Sequence, residues 1–181
     1  MTRADLDVAV LTRHRYQELE LWYPLLRYRE VGATTSLVGR AAVEHLGGVG
    51  YPAIPDRIVG EGAVPTVLIV PGRAPSFDGA DAADAAEEEL TAAERDLLRA
   101  VHDAGGVVAA IGDGVALLGA AGLLQDRTVA GGDALAGSLS GFGASRAAET
   151  VHADQAIVTA ASADDLPAFV NAIDAAALGS L

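Results

Sequence analysis

The chain has 181 residues, enough for one domain with a sizeable core and too few for two ordinary ones, so residues 1–181 are read as a single domain. Its net charge of −13 and pI near 4.5 argue against nucleic acid, whose phosphates need clustered cations, and against an anionic membrane surface. It has no cysteine, and its 12 basic residues are all Arg, which excludes thiol nucleophiles, thiolate metal sites, lysine Schiff bases and lysine-dependent phosphate loops.

Val8-Ala9-Val10-Leu11 is a short apolar run suited to a strand covered on both faces. A polar turn follows, and over residues 18–31 Leu19, Trp22, Leu25, Leu26 and Val31 recur at helical spacing, with Gly32 placed to end the helix and Pro24 either tolerated or kinking it. Thr34-Thr35-Ser36-Leu37-Val38 is a second strand, which makes a βαβ unit. Residues 39–62, rich in Gly and Pro, predict turns and short irregular strands.

Val67-Leu68-Ile69-Val70, bounded by Pro65 and Pro71-Gly72, predicts a central parallel strand, and residues 76–89 form an acidic Ala-rich stretch whose ordinary role is a solvated helix or loop. Thr91-Ala92-Ala93-Glu94 has the spacing of a capping box, opening a helix to His102 with Leu97, Leu98 and Val101 inward. Val107-Val108-Ala109-Ala110-Ile111 is the next buried strand, Gly112-Asp113-Gly114 a tight turn, and residues 115–121 a helix closed by Gly122. After Arg127 the glycines return, followed by a late strand, Gln155-Ala156-Ile157-Val158-Thr159, and a terminal helix over residues 164–178. No apolar run approaches the roughly 20 residues of a spanning helix, and residues 1–7 lack the apolar core of a secretory signal, so a cytoplasmic protein is expected.

The alternation predicts an open, mostly parallel α/β sheet with helices on both faces, whose ligands bind at the carboxyl ends of the strands. Four segments in order narrow it. Glu20-Leu21-Trp22-Tyr23-Pro24, the strand and turn from Val67 through Pro71-Gly72-Arg73-Ala74-Pro75, the strand-turn-helix from Ala109 to Leu124, and the late strand with its helix together resemble the ThiJ/PfpI, glutamine-amidotransferase-like superfamily. The resemblance implies a flavodoxin-like three-layer sandwich and a homodimer, for which Trp22 and Tyr23 are apolar anchor candidates. It also departs from the pattern. Family enzymes commonly read Ile-Cys-His-Gly or Ile-Cys-Ala-Gly at the nucleophile elbow, and this chain reads Ile111-Gly112-Asp113-Gly114. Gly relieves the backbone strain of an elbow, and thiol chemistry is lost with the sulfur.

The resemblance makes Glu20 the first candidate proton carrier, since burial beside the elbow raises a carboxyl pKa; without it, Glu20 is an early-helix acid favoured by the helix dipole. Asp113 has two readings of equal weight, a second carboxylate in the pocket or an N-cap bonding free backbone amides. Backbone N–H groups at Gly72 and Arg73, and at Gly112 and Gly114, are candidates to face a substrate oxygen, and the Arg73 side chain to meet an anionic substituent or stay on the surface. His14 lies in the loop after the first strand, and Tyr16 is a candidate for the pocket entrance. His45, His102 and His152 show no metal pattern, and neither a metal nor a cofactor is expected. The resemblance places larger or reactive side chains where this chain has Gly112, Gly131 and Gly132, which implies a cavity wider than is usual in the family and a bulkier organic ligand.

Two functions follow from these readings. One is a cofactor-independent acid/base enzyme of lyase, hydratase, isomerase or cyclase type acting on a small organic substrate, with bacterial secondary metabolism as a setting suggested by the GC-rich composition. The alternative is a non-catalytic member that binds or sequesters a small molecule. Convergent polar groups above Gly112 favour the first, and a filled or apolar space the second.

Overall fold

The alternating residues of the apolar runs point to opposite faces of one sheet, and each face is covered. The computed structural model describes residues 1–74 and 89–179; Pro75 and the acidic stretch before Glu89 lie outside the described residues. Strands are β1 (Asp7–Leu11), β2 (Thr34–Gly39), β3 (His45–Leu46), β4 (Pro52–Ala53), β5 (Arg57–Ile58), β6 (Val67–Val70), β7 (Val107–Ile111), β8 (Thr128–Val129), β9 (Ser145–Arg146), β10 (Val151–Asp154) and β11 (Ile157–Ala160). Helices are α1 (Glu18–Glu30), α2 (Ala92–Asp103), α3 (Gly114–Ala120), α4 (Asp133–Leu139) and α5 (Leu166–Leu178).

The main sheet has the order β10-β11-β7-β6-β1-β2-β5. All its pairs are parallel except the β10–β11 edge hairpin. This is the open parallel sandwich expected from the sequence. Val8, Val10 and Ile69 pack with Leu21 and Leu25 of α1 and Phe169 of α5 on one face. Ala9, Leu11 and Leu68 pack with Leu98 of α2 and Leu118 of α3 on the other. Each large apolar side chain among them contributes roughly 1.5–3 kcal/mol by leaving water.

Several elements differ from expectation. The buried face of α1 carries Leu21, Leu25 and Tyr28, whereas Leu19 and Leu26 are more than half exposed. That rotation turns Glu20 and Pro24 inward, and the helix runs on past Pro24. In α2 the capping box forms as predicted and Leu98 and Val101 are buried, but Leu97 is only partly so. The late strand is shifted to Ile157–Ala160, because Gln155 turns the hairpin at φ 56°. The terminal helix begins at Leu166 after a single 3-10 turn. Strand β10 and helix α4 were not predicted; β10 is a half-buried edge, and α4 is one short segment among glycines.

Candidate functional site

The carboxyl ends of β1, β6 and β7 meet at one place. From β6 the chain runs through Pro71-Gly72-Arg73, and an antiparallel bridge between Tyr16 and Arg73 ties it to the loop after β1. Gln17 N–H donates to the Gly72 carbonyl at 2.9 Å, and Ala74 N–H to that of Arg15 at 2.8 Å. The Gln17 side chain also caps α1 by accepting from Glu20 N–H at 2.8 Å. These bonds fix Glu20, in the first turn of α1, over Gly72.

The Glu20 side chain is buried, and its Oε2 accepts from Gly72 N–H at 2.7 Å. From β7, Gly112 turns with φ 62°, in the left-handed region where glycine alone is at ease. A Cβ at residue 112 would lie 3.2 Å from Glu20 Oε1 and 3.3 Å from Oε2. The place of the absent side chain is thus directly in front of the Glu20 carboxyl.

Asp113 opens α3 but makes no side-chain cap bond; its Oδ1 accepts instead from Arg73 N–H at 2.6 Å. Gly72 sits between the two acids, since a Cβ there would lie 2.6 Å from Asp113 Oδ1 and 2.8 Å from Glu20 Oε2. Only glycine fits between them. Burial pushes Glu20 up to about 7 against the help of the Gly72 N–H, and the neighbouring Asp113 charge adds to the rise. Burial raises Asp113 as well, opposed by the Arg73 N–H and the guanidinium groups of Arg73 and Arg13.

Two cavities adjoin at Asp113. One, of about 320 Å³, is lined by small and apolar groups with Gly112, Asp113, Asp133 and Ser138. The other, of about 200 Å³, is lined by Arg13, Arg73, Asp113 and Gly114 among others. Asp113 and Ala116 border both. Gly132 lines the larger cavity, but the space at Gly131 is taken by Leu135, whose Cδ2 would lie 2.6 Å from a Cβ there.

The sequence candidates separate accordingly. Glu20, Gly72, Arg73, Gly112 and Asp113 come together. The N–H groups of Gly72 and Arg73, expected to face a substrate oxygen, donate instead to the protein's own two carboxylates. Gly114 is packed tightly, with a Cβ there only 2.6 Å from the Val70 carbonyl oxygen. His14 Nδ1 accepts from Leu46 N–H at 3.4 Å. Tyr16 is 1% exposed and donates to the Tyr51 carbonyl at 2.6 Å, so it borders neither cavity and is not at an entrance. Trp22 Nε1 donates to that same hydroxyl at 3.3 Å, and its ring meets Tyr51 edge-on. Sequence reasoning missed Arg13, a buried cation at the cavity wall; its signal was Arg13-His14-Arg15, a basic cluster after a strand in a strongly acidic chain. Among the described residues no group of three or more His, Cys, Asp or Glu is placed to hold a metal ion. Among them, too, no helix is long and apolar enough to cross a membrane.

A parallel sandwich with a glycine elbow facing a buried early-helix glutamate defines a thiol-free protein of the glutamine-amidotransferase-like fold. The model of the DJ-1/PfpI family matches residues 7–176, and the chain belongs to that family. Among solved structures, a ThiJ/PfpI domain protein from Brachyspira murdochii is similar over 100% of this chain and 99% of that one, with 20% identity and a TM-score of 0.81. A two-domain protein from Anabaena variabilis with DJ-1/ThiJ/PfpI-like and ferritin-like domains matches 97% of this chain at 20% identity and a TM-score of 0.82. This chain spans about half of that protein, 48% of its length. A cysteine-to-alanine mutant of a DJ-1 superfamily protein from Salmonella typhimurium matches 96% of this chain and 91% of its own, at 21% identity and a TM-score of 0.79. No curated protein matches the chain in sequence.

Proposed function

We propose that the chain is a cofactor-independent acid/base enzyme of lyase, hydratase, isomerase or cyclase type, acting on a small organic substrate with Glu20 as proton carrier. The observation that carries this reading is the placement of Glu20 Oε1 3.2 Å from the position of the missing Cβ of residue 112. A substrate atom filling that place stands within proton-transfer reach of a carboxyl. A group titrating at about 7 is present in both protonation states near neutrality, so it can give a proton and take one back. Asp113, which borders both cavities, is the second carboxyl and meets the substrate directly.

Glu20→Gln keeps the shape and removes the proton. Turnover of a substrate found by screening should fall on the order of 10²–10⁴-fold with ligand binding retained. Full turnover in that variant eliminates Glu20 as the catalytic group.

The small, apolar walls of the larger cavity, and the use of the Gly72 and Arg73 amides by the protein's own acids, support a second reading, a sequestering protein. Tight ligands without turnover, bound equally by Glu20→Gln, would select it. We place the chain's self-association on the exposed Leu19 and Leu26 of α1, since Trp22 is engaged with Tyr16 and Tyr51. Sedimentation should give a homodimer at micromolar concentration, and only monomer there would reject the pairing.

A further inference from the structure

Helix α3 has no polar side chain, since it reads Gly114-Val115-Ala116-Leu117-Leu118-Gly119-Ala120. A helix that is apolar on every side is ordinarily buried on every side. Here Val115 and Leu118 are buried in the core, whereas Ala116 and Leu117 are half-buried and Ala120 is exposed. With Asp113 these three stand at i, i+3, i+4 and i+7, which is one stripe of a helix. The open face of α3 therefore starts at an acid of the candidate site and continues as hydrocarbon.

A third cavity, of about 350 Å³, lies over the far end of this stripe, and Leu90, Ala116, Leu117, Ala120 and Phe142 line it. Its size and apolar walls are those of a small-molecule site. Ala116 also borders both cavities at Asp113, and Leu117 borders the smaller of them, so the three follow one another along α3. Gly119 lets the far wall stand close, because a Cβ there would strike the Phe142 ring. The charged residues bordering the far cavity, Glu89 and Arg95, are of opposite sign and give it no preference for an ion. At a rise of 1.5 Å per residue, the groove from Asp113 to Ala120 is about 10 Å long.

We infer that the substrate is an elongated molecule whose reacting end lies at Gly112 and Asp113 and whose uncharged hydrocarbon tail runs over Ala116 and Leu117 to Leu90 and Phe142. The inference rests on the reading of the Glu20 pocket as the active site and names its substrate class. Continuity selects this occupant, since the uncovered apolar stripe begins at the acid that borders the reacting space, and a molecule held there extends along it. Each methylene carried onto the stripe strengthens binding by leaving water, so chain length is the quantity to measure.

The test uses the whole chain at pH 7 with butan-1-ol and octan-1-ol as probes, followed by the amide NMR signals of Gly112 and Asp113 at the near end and of Leu90, Ala120 and Phe142 at the far end. Octan-1-ol should shift both sets saturably and bind at least about tenfold more tightly than butan-1-ol, which should leave the far set in place. Octane-1,8-diol, which must bring a hydroxyl out of water at the far end, should bind at least about tenfold more weakly than octan-1-ol. Ala120→Arg lays a long charged side chain on the exposed end of the stripe and should bring octan-1-ol down to the affinity of butan-1-ol, with butan-1-ol itself unchanged. If its thermal melt shows that Ala120→Arg does not fold, Ala116→Leu, which fills the wall shared by the three cavities, decides in its place and should weaken octan-1-ol at least about tenfold. Equal affinity of the two alcohols, an unmoved far set, equal binding of the diol, or octan-1-ol unaffected in the folded variant overturns the groove. Glu20→Gln separates the two claims, since it should bind octan-1-ol like the parent. Loss of turnover in that variant with no octan-1-ol binding by the parent removes only the groove, and full turnover with Ala120-dependent octan-1-ol binding removes only the proton carrier.

Discussion

Glu20 and Glu94 are the two buried glutamates among the described residues, and both are the third residue of a helix whose preceding cap accepts their backbone N–H. Their side chains then part. Glu94 turns back to its own cap, accepting from Thr91 N–H at 2.8 Å and from its hydroxyl at 2.9 Å, and holds Arg40 and Arg13. Glu20 reaches across to Gly72 and has another acid beside it. Burial pushes both upward, but the hydrogen bonds from Arg40 and Thr91 and the charges of Arg13 and Arg40 bring Glu94 below its ordinary value, while Glu20 rises to about 7. The same helix position thus gives a fixed anion in one region and a proton reservoir in the other, and distant neighbours decide which.

The contrast breaks most visibly if the anion is removed. Glu94→Ala deletes the carboxylate that Arg13 and Arg40 share, and urea unfolding should show a loss of about 3–5 kcal/mol, the cost of breaking a buried ion pair. A loss below about 1 kcal/mol, the scale of a surface pair, would mean that the cluster does not depend on it.

The next effect reads the two acids against pH. With a folded pKa of about 7 against 4.5 unfolded, Glu20 makes the folded state bind more protons between those values, so stability falls as pH rises through this window. The fall attributable to Glu20 is on the order of 3 kcal/mol by about pH 8, and Glu20→Gln should abolish it. Glu94 runs the other way, since its lowered pKa supplies stability that is complete above the unfolded value and lost as pH drops through the folded one. Parallel stability curves for parent and Glu20→Gln from about pH 5 to 8 would show that Glu20 is not held protonated by the fold.

The smallest effect belongs to the cap. Thr91→Ala removes one side of the capping box and should cost about 1 kcal/mol without changing the slope of stability against pH near neutrality. A changed slope would tie the two regions together.

The legible parts of this molecule were those determined locally. Strands β1, β6 and β7 are buried on both faces and read as continuous apolar runs, and the Thr91 to Glu94 spacing announces its cap. Strand β10 was not legible, because Val151-His152-Ala153-Asp154 is half-buried at an edge and is held by Arg127, which donates to Asp154 Oδ1 at 3.0 Å from 27 residues away. At the site, the resemblance pointed to Glu20 and Gly112. The destination of the Asp113 side chain was hidden, since a cap and a partner 40 residues back are equally open to an aspartate at a helix start. Arg13 was hidden for a similar reason, as it sits in the loop after β1 while its carboxylate partner Glu94 lies on the distant helix α2, and its cavity is assembled from three strand ends.

The backbone at residue 112 sets what any replacement of its glycine would cost. With φ at 62°, any side chain there adopts a conformation that costs about 1–3 kcal/mol, and its Cβ would press on both Glu20 oxygens, at 3.2 and 3.3 Å. A cysteine at residue 112 would therefore set its Cβ against the end of the Glu20 side chain, which need give by only a few tenths of an ångström, so the backbone conformation is the larger obstacle. Glycine at this turn thus spares the chain the strain that any other residue would bear, and leaves the side of the Glu20 carboxyl where a side chain would stand uncovered.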